Sequence, residues 1–145
     1  MENTGLSSIL SLSVSPVVLI SGVGLLLLSI TNRLGRVVDR TRALAHQARG
    51  ADEDMKGRIQ KQMKLLYRRA EVLRLSILAG SLSILLVSCM ILCLFLTFVF
   101  TTDFRPIVMI LFAGCIVSLI VSISLFTKDV TLSLRALSME ISDTI

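Results

Sequence analysis

The chain has 145 residues, of which 54% are hydrophobic and 17% are charged, and its mean hydropathy is +0.84. A soluble domain of this length cannot bury so much apolar surface, so the composition excludes an ordinary soluble protein. The net charge of +5 is unevenly placed, because twelve of the fifteen Lys and Arg residues lie between positions 33 and 74.

The first predicted element is a transmembrane helix at about residues 7–31. Residues 3–32 carry no charge, and about 20 apolar residues in a helix are enough to cross the hydrocarbon core. A cleaved secretory signal fits poorly, because the only early charge is Glu2 and basic residues follow the apolar run. The segment is therefore predicted to be an uncleaved span.

The basic segment at residues 32–74 keeps a helical apolar pattern. Alternating steps of four and three residues are typical of a coiled-coil seam. Gly50 and the acidic cluster after it predict a break between two helices. We therefore expect two arms that pair as an antiparallel hairpin, against the alternative of a disordered basic loop. The two apolar series are Leu34, Val37, Thr41, Leu44, Ala48 and Ile59, Met63, Leu66, Ala70, Leu73, Ile77.

Two further uncharged stretches follow, at residues 75–102 and 106–127. They predict spans at about 75–101 and 106–127, with a helical tail at 128–145. The three cysteines all fall within these spans and are expected to pack as small apolar side chains. No cofactor and no metal site is predicted.

These elements predict an all-α fold. The chain is expected to be a single membrane domain, residues 1–145, with three transmembrane helices and a cytoplasmic antiparallel helical hairpin that extends the first two spans. The short connection between the second and third spans holds a single arginine, Arg105. The excess of basic residues in the hairpin therefore predicts a cytoplasmic hairpin and tail, with the N-terminus outside.

A stripe of small polar residues runs along the first helix and continues as arginines. At about 100° per residue its members share an arc of roughly 80°. One interpretation is a helix-packing face; the other is the lining of a water-filled path around a symmetry axis, whose basic cytoplasmic ring attracts anions. The stripe contains Ser8, Ser11, Ser15, Gly22 and Ser29, and the ring contains Arg33, Arg36 and Arg40.

Related stripes occur on the other two spans. The second span carries Ser76, Gly80, Ser83, Thr97 and Thr101, and the third carries Gly114, Ser118, Ser122, Asp129, Ser133, Glu140 and Asp143. Small residues of this kind allow two helices to approach closely.

One acidic residue is expected to form an ion pair at the end of the spans. Under the predicted topology Asp129 lies at nearly the same depth as Arg33 and Arg74, so we expect it to pair with one of these arginines. The arginines nearest the bilayer are also expected to meet anionic lipid headgroups. A nucleic-acid partner is not expected, because Tyr67 is the only aromatic residue in the basic segment.

The stretches S-P-x-x-L-I-S-x-x-G, starting at Ser15, and T-N-R-L-x-R-V-x-D-R, starting at Thr31, carry a resemblance. The sequence resembles a bacterial family of small integral membrane proteins of unknown function. That resemblance implies three spans in a bacterial inner membrane and no catalytic residues.

Three spans form too thin a bundle to enclose a path alone, so transport requires a homo-oligomer. The leading expectation is a homo-oligomeric, anion-preferring channel or channel-like protein with a basic cytoplasmic vestibule. The alternative is a membrane-anchored scaffold whose hairpin docks a partner. An enzyme is not expected, because the sequence has no nucleophile–base pair, metal cluster or phosphate-binding loop.

Overall fold

The structure is a computed structural model that describes the backbone of residues 3–50, 52–100 and 105–142, and the side chains of residues 17–50, 52–97 and 105–133. In these ranges the chain forms three α-helices: α1 (Asn3–Ala48), α2 (Glu53–Phe100) and α3 (Arg105–Ser142). The fold is therefore all-α in its described part.

Each helix contains a stretch long and apolar enough to cross a membrane. These candidate spans are Val17–Ala48, Glu53–Thr97 and Arg105–Ser133. Three such helices are consistent with a multi-pass membrane protein, as the sequence predicts.

The helices are longer than the spans predicted from the sequence. α1 and α2 each run without a break from an apolar span into the basic segment. α3 also continues to Ser142, so the tail helix predicted at residues 128–145 is not a separate element, and its last three residues lie outside the described part. The reason is local: Lys128 and Asp129 end the uncharged run, but neither residue breaks a helix.

The connection between α1 and α2 is short and ordered by local hydrogen bonds. The amide of Arg49 donates to the carbonyl of His46 at 3.3 Å, which tightens the last turn of α1. The carbonyl of Asp52 accepts from the amide of Lys56 at 2.9 Å, and Glu53 and Asp54 lie in the first turn of α2. Acidic residues at this end of a helix are stabilised by the helix dipole.

Gly50 lies in this connection, two residues beyond the end of α1. Its backbone does not adopt the left-handed conformation that a capping glycine usually takes, and an added Cβ would meet nothing within 4 Å. The helix break is therefore where the sequence predicts it, but Gly50 is not required there by its conformation.

The apolar series of the basic segment is covered by the fold. Val37, Leu44, Ile59 and Leu73 are buried, and the other members of both series are half-buried. A disordered loop would leave such residues exposed. The periodicity therefore identifies residues that pack, as expected for a helical seam.

The chain divides into two compact units. One unit comprises Met1–Leu28 and Ala79–Val121, and the other comprises Ser29–Leu78 and Ser122–Ile145. Within the described residues, the buried core of the first unit is Val23, Gly80, Ser83, Val87, Cys115 and Ser118. The core of the second is Ile30, Val37, Leu44, Ile59, Leu73, Ser76, Ser122 and Asp129.

Candidate functional site

A buried carboxylate lies at the centre of the second unit. The side chain of Asp129 on α3 has 0% of its surface exposed, and it faces arginines of both other helices. The Nε of Arg69 on α2 donates to its Oδ1 at 3.1 Å. The Nε of Arg33 on α1 lies 3.9 Å from its Oδ2, which accepts no hydrogen bond within the described residues. One negative charge is thus shared by two positive charges.

Arg33 has a second contact on α3. Its guanidinium carbon lies 5.5 Å from the centre of the Phe126 ring, which is within the range of a cation–π interaction. Phe126 and Asp129 are three residues apart and therefore lie on the same side of α3. Arg33 is held against α3 by an aromatic ring and a carboxylate together.

The structure brings together two of the three residues that were predicted to form an ion pair. The structure places Asp129 beside Arg33, but it does not bring Arg74 to it; Arg74 is exposed. Arg69 takes the shorter contact, and the sequence reasoning missed it because that reasoning compared depth alone. A sequence signal for Arg69 does exist. Arg69 and Ser76 are seven residues apart on α2 and so share a helix face, and Ser122 and Asp129 have the same spacing on α3.

Two serines join α2 and α3 beside this carboxylate. The hydroxyl of Ser76 donates to the carbonyl of Ser122 at 2.7 Å, and the hydroxyl of Ser122 donates to the carbonyl of Ser76 at 2.8 Å. Both residues are fully buried. Asp129 lies seven residues after Ser122 on α3, and its partner Arg69 lies seven residues before Ser76 on α2. The two helices are therefore antiparallel in this unit.

The other unit joins the same two helices by similar means. The hydroxyl of Ser118 donates to the carbonyl of Ala79 at 2.7 Å, and the Oγ of Ser83 lies 3.2 Å from the Sγ of Cys115. A Cβ on Gly114 would lie 3.4 Å from Leu86. The described small residues of the α2 and α3 stripes that are buried therefore serve helix packing.

The polar stripe of α1 differs, because the rest of the chain does not cover it. Gly22, Ser29, Arg36 and Arg40 are exposed, and a Cβ on Gly22 would meet nothing within 4 Å. Among the members whose side chains the structure describes, Arg33 alone is turned into a contact. The predicted members Ser8, Ser11 and Ser15 belong to α1, but their side chains lie outside the described residues.

The hydroxyl groups on exposed faces are satisfied in different ways. Ser21, Ser88 and Thr127 each donate to the carbonyl four residues earlier on their own helix, at 2.9–3.0 Å. Such bonds allow a hydroxyl to face lipid at little cost. Ser29 is exposed and makes no hydrogen bond of this kind in the part of the chain that the structure describes.

No group of three or more His, Cys, Asp or Glu side chains comes together to hold a metal ion among the described residues. Cys89 and Cys93 are half-buried, and Cys115 is buried. All three cysteines are free thiols, as apolar packing within a span requires.

Comparison with known proteins gives one result. No curated protein and no solved structure matches the chain. One family model, described as "Protein of unknown function (DUF2721)", matches residues 13–139. This range contains the helix α1 motif from Ser15 to Arg40, both arginine partners and Asp129. Because the match covers most of the chain, the protein belongs to the DUF2721 family.

Proposed function

We propose that the protein is a homo-oligomeric, anion-preferring channel or channel-like protein of a bacterial inner membrane. The observation that carries this proposal is the exposed polar face of α1, formed by Gly22, Ser29, Arg36 and Arg40. This set is called the α1 polar face below. In the proposal it lines the symmetry axis, with its arginines at the cytoplasmic mouth.

The low burial of α1 within the chain supports the idea that another subunit or water contacts this helix. The most apolar stretch of α1 is 11% buried within the chain, compared with 22% for α2 and 17% for α3. Lipid is a good solvent for the exposed Val17 and Leu28, which lie off this face. It is a poor solvent for the hydroxyl of Ser29, which forms no hydrogen bond within the described residues, whereas Arg36 and Arg40 lie beyond the proposed span, where water solvates them. The α1 polar face is therefore better matched to water or to another subunit.

The charge of the face determines the preferred ion. Arg36 and Arg40 repeat once per subunit around a closed axis, so an oligomer brings several positive charges together. A narrow mouth lined by one sign of charge concentrates counter-ions. A carboxylate-based cation path lacks support, because Asp129 is paired with Arg69 and Arg33.

The proposed topology follows from the distribution of charge. Twelve Lys and Arg residues at positions 33–74 oppose the single Arg105 of the connection between α2 and α3. Short loops rich in basic residues stay in the cytoplasm. The ends of α1 and α2 then form an antiparallel hairpin in the cytoplasm, the N-terminus lies outside and the C-terminus lies inside. Anionic lipid headgroups meet the arginines nearest the bilayer.

A second function is favoured by a different surface. On α2, Leu65 is 63% exposed and lies within one or two turns of three exposed cations, Arg58, Lys61 and Arg68. None of these cations forms a salt bridge in the described residues. Leu65 lies ten residues before the uncharged interval, which is about 15 Å along the helix. Since the Debye length is roughly 8 Å, the attraction between these cations and anionic lipid headgroups is largely screened. An acidic partner helix fits this surface better than the bilayer does, so the alternative is a membrane-anchored scaffold.

Ion flux through the purified oligomer in planar bilayers tests the channel proposal. The variant Arg36→Glu with Arg40→Glu reverses the charge of the α1 polar face. The matched control is Arg42→Glu with Arg49→Glu, which makes the same charge change at two exposed residues away from this face, one on the opposite side of α1 and one just beyond its end. We expect the first pair to shift the reversal potential toward cations and the second pair to leave it nearly unchanged.

Two outcomes contradict the channel. The first is a wild-type oligomer that passes no ions, and the second is an equal effect of both charge-reversal pairs. The scaffold alternative is then tested by fluorescence polarisation of an acidic peptide with one leucine face, added to the solubilised protein. Leu65→Gln should weaken the binding of this peptide. A peptide of equal charge without the apolar face should bind the variant and the wild-type protein with the same affinity.

A further inference from the structure

We infer that Asp129 is a positioning residue that holds Arg33 against α3 and so withholds one positive charge from the α1 polar face. This inference deepens the proposed channel function and rests on it. In this inference the carboxylate of Asp129 sets how strongly the channel prefers anions, although Asp129 does not itself lie on the α1 polar face.

The two contacts of Asp129 are unequal. Arg69 donates a hydrogen bond at 3.1 Å, whereas Arg33 lies at 3.9 Å and forms none. The side chain of Arg33 is 25% exposed, compared with 20% for Arg69. Arg33 is thus the more weakly held partner. Its remaining restraint is the Phe126 ring, which attracts a cation without neutralising it.

The neighbours of Arg33 on its own helix define where it goes when released. Ser29 and Arg36 lie four residues before it and three residues after it, and both are exposed. Residues at these spacings share a face of an α-helix. A guanidinium freed from Asp129 therefore joins the α1 polar face, which then carries three arginines per subunit instead of two.

The charge balance gives the same conclusion. Asp129, Arg69 and Arg33 together carry two positive charges and one negative charge. The Nε atoms of the two arginines lie 3.1 and 3.9 Å from the buried carboxylate. The carboxylate of Asp129 cancels part of the electric field of Arg33 before that field reaches the face. Removal of the carboxylate charge restores that field and raises the local concentration of anions.

The first experiment measures the position of Arg33 directly and does not depend on ion flux. The purified protein in detergent is treated with phenylglyoxal, which modifies arginines, and each site is quantified by mass spectrometry. In wild type Arg33 should react several-fold more slowly than Arg36. In Asp129→Asn the Arg33 rate should approach that of Arg36, and in Asp129→Glu it should stay slow. Equal rates at Arg33 and Arg36 in wild type, or no change in the folded Asp129→Asn variant, overturn the inference.

The second experiment is a double-mutant cycle on ion selectivity. Asp129→Asn should raise the anion-to-cation permeability ratio several-fold, Arg33→Gln alone should change it little, and the double variant should return to the wild-type ratio. If Asp129→Asn does not fold, Arg33→Gln alone remains decisive, since a clear loss of anion preference means that Arg33 already acts on the face. A wild-type protein that conducts no ions refutes the channel proposal, while the modification rates still decide the placement of Arg33.

Discussion

Ser76 and Ser122 each donate a hydroxyl hydrogen to the other residue's backbone carbonyl, at 2.7 and 2.8 Å. The two side chains are fully buried between α2 and α3. The pair is therefore a reciprocal link in which neither hydroxyl is left unsatisfied and neither helix loses a backbone hydrogen bond.

Replacement of either serine by alanine should lower the thermal stability of the detergent-extracted protein. Hydrogen bonds between membrane helices contribute about 0.6 kcal/mol on average and about 1.7 kcal/mol at most. Because the two hydroxyl oxygens lie 3.5 Å apart in one hydrogen-bond network, the losses in Ser76→Ala and Ser122→Ala should not be additive. Ser88→Ala is the control, since Ser88 is exposed and bonds only within its own helix. Melting curves of Ser76→Ala, Ser122→Ala, the variant with both substitutions and Ser88→Ala measure this, and a Ser88→Ala effect equal to the others contradicts it.

The Asp129 network should show a definite order of stabilities. Arg69→Met leaves a fully buried carboxylate with only the distant Arg33, and loss of one partner of a buried pair costs about 3 to 5 kcal/mol. Asp129→Asn should also lower the melting temperature, because it leaves two arginines facing each other. Arg33→Met should cost less, because its contact is longer.

Arg74→Met is the matched control for this series, since Arg74 is exposed and lies on the same helix as Arg69. It should leave the melting curve near that of wild type. A loss at Arg74 as large as that at Arg69 would mean that the carboxylate exchanges partners in the detergent-extracted protein.

Two glycines at the same depth of α1 provide a matched test of the oligomer. Gly22 and Gly24 are both exposed, a Cβ on either meets nothing within 4 Å, and they lie about 200° apart around the helix. The Cβ of a larger side chain therefore meets no obstacle in the isolated subunit at either position. If the α1 polar face meets other subunits, Gly22→Leu should shift the protein to smaller assemblies and Gly24→Leu should not. Native mass spectrometry measures the distribution, and identical distributions would remove this face from the interface.

The proposed topology can be tested at Gly50. This residue is exposed in the connection between α1 and α2 and has space for a side chain. In a background without Cys89, Cys93 and Cys115, Gly50→Cys should react with an impermeant thiol reagent only when the cytoplasmic side is accessible. The converse position is Asp103→Cys, which should react in intact cells. Labelling of Gly50→Cys in intact cells would reverse the assigned orientation.

The sequence by itself determined the helices, because the properties that make a membrane helix are local. The length of an uncharged run decides whether a segment can span, and the period of the apolar residues in 34–48 and 59–77 decides which side becomes covered. The break near Gly50 was readable for the same reason. Residues 128–142 continue α3 without a break, since the end of an apolar run does not end a helix.

Only the tertiary structure decided which residues meet. Arg69 and Arg74 both lie near the end of the second span, but five residues turn a helix by about 140°, so only one of them faces Asp129. Depth along a helix follows from counting residues, whereas rotation toward a partner depends on how α2 and α3 pack. The reciprocal bonds of Ser76 and Ser122 and the antiparallel register of their helices carry that information for α2 and α3. The packing of α1 on α3 likewise decides that Arg33 lies beside Asp129 while Arg36 and Arg40 stay exposed.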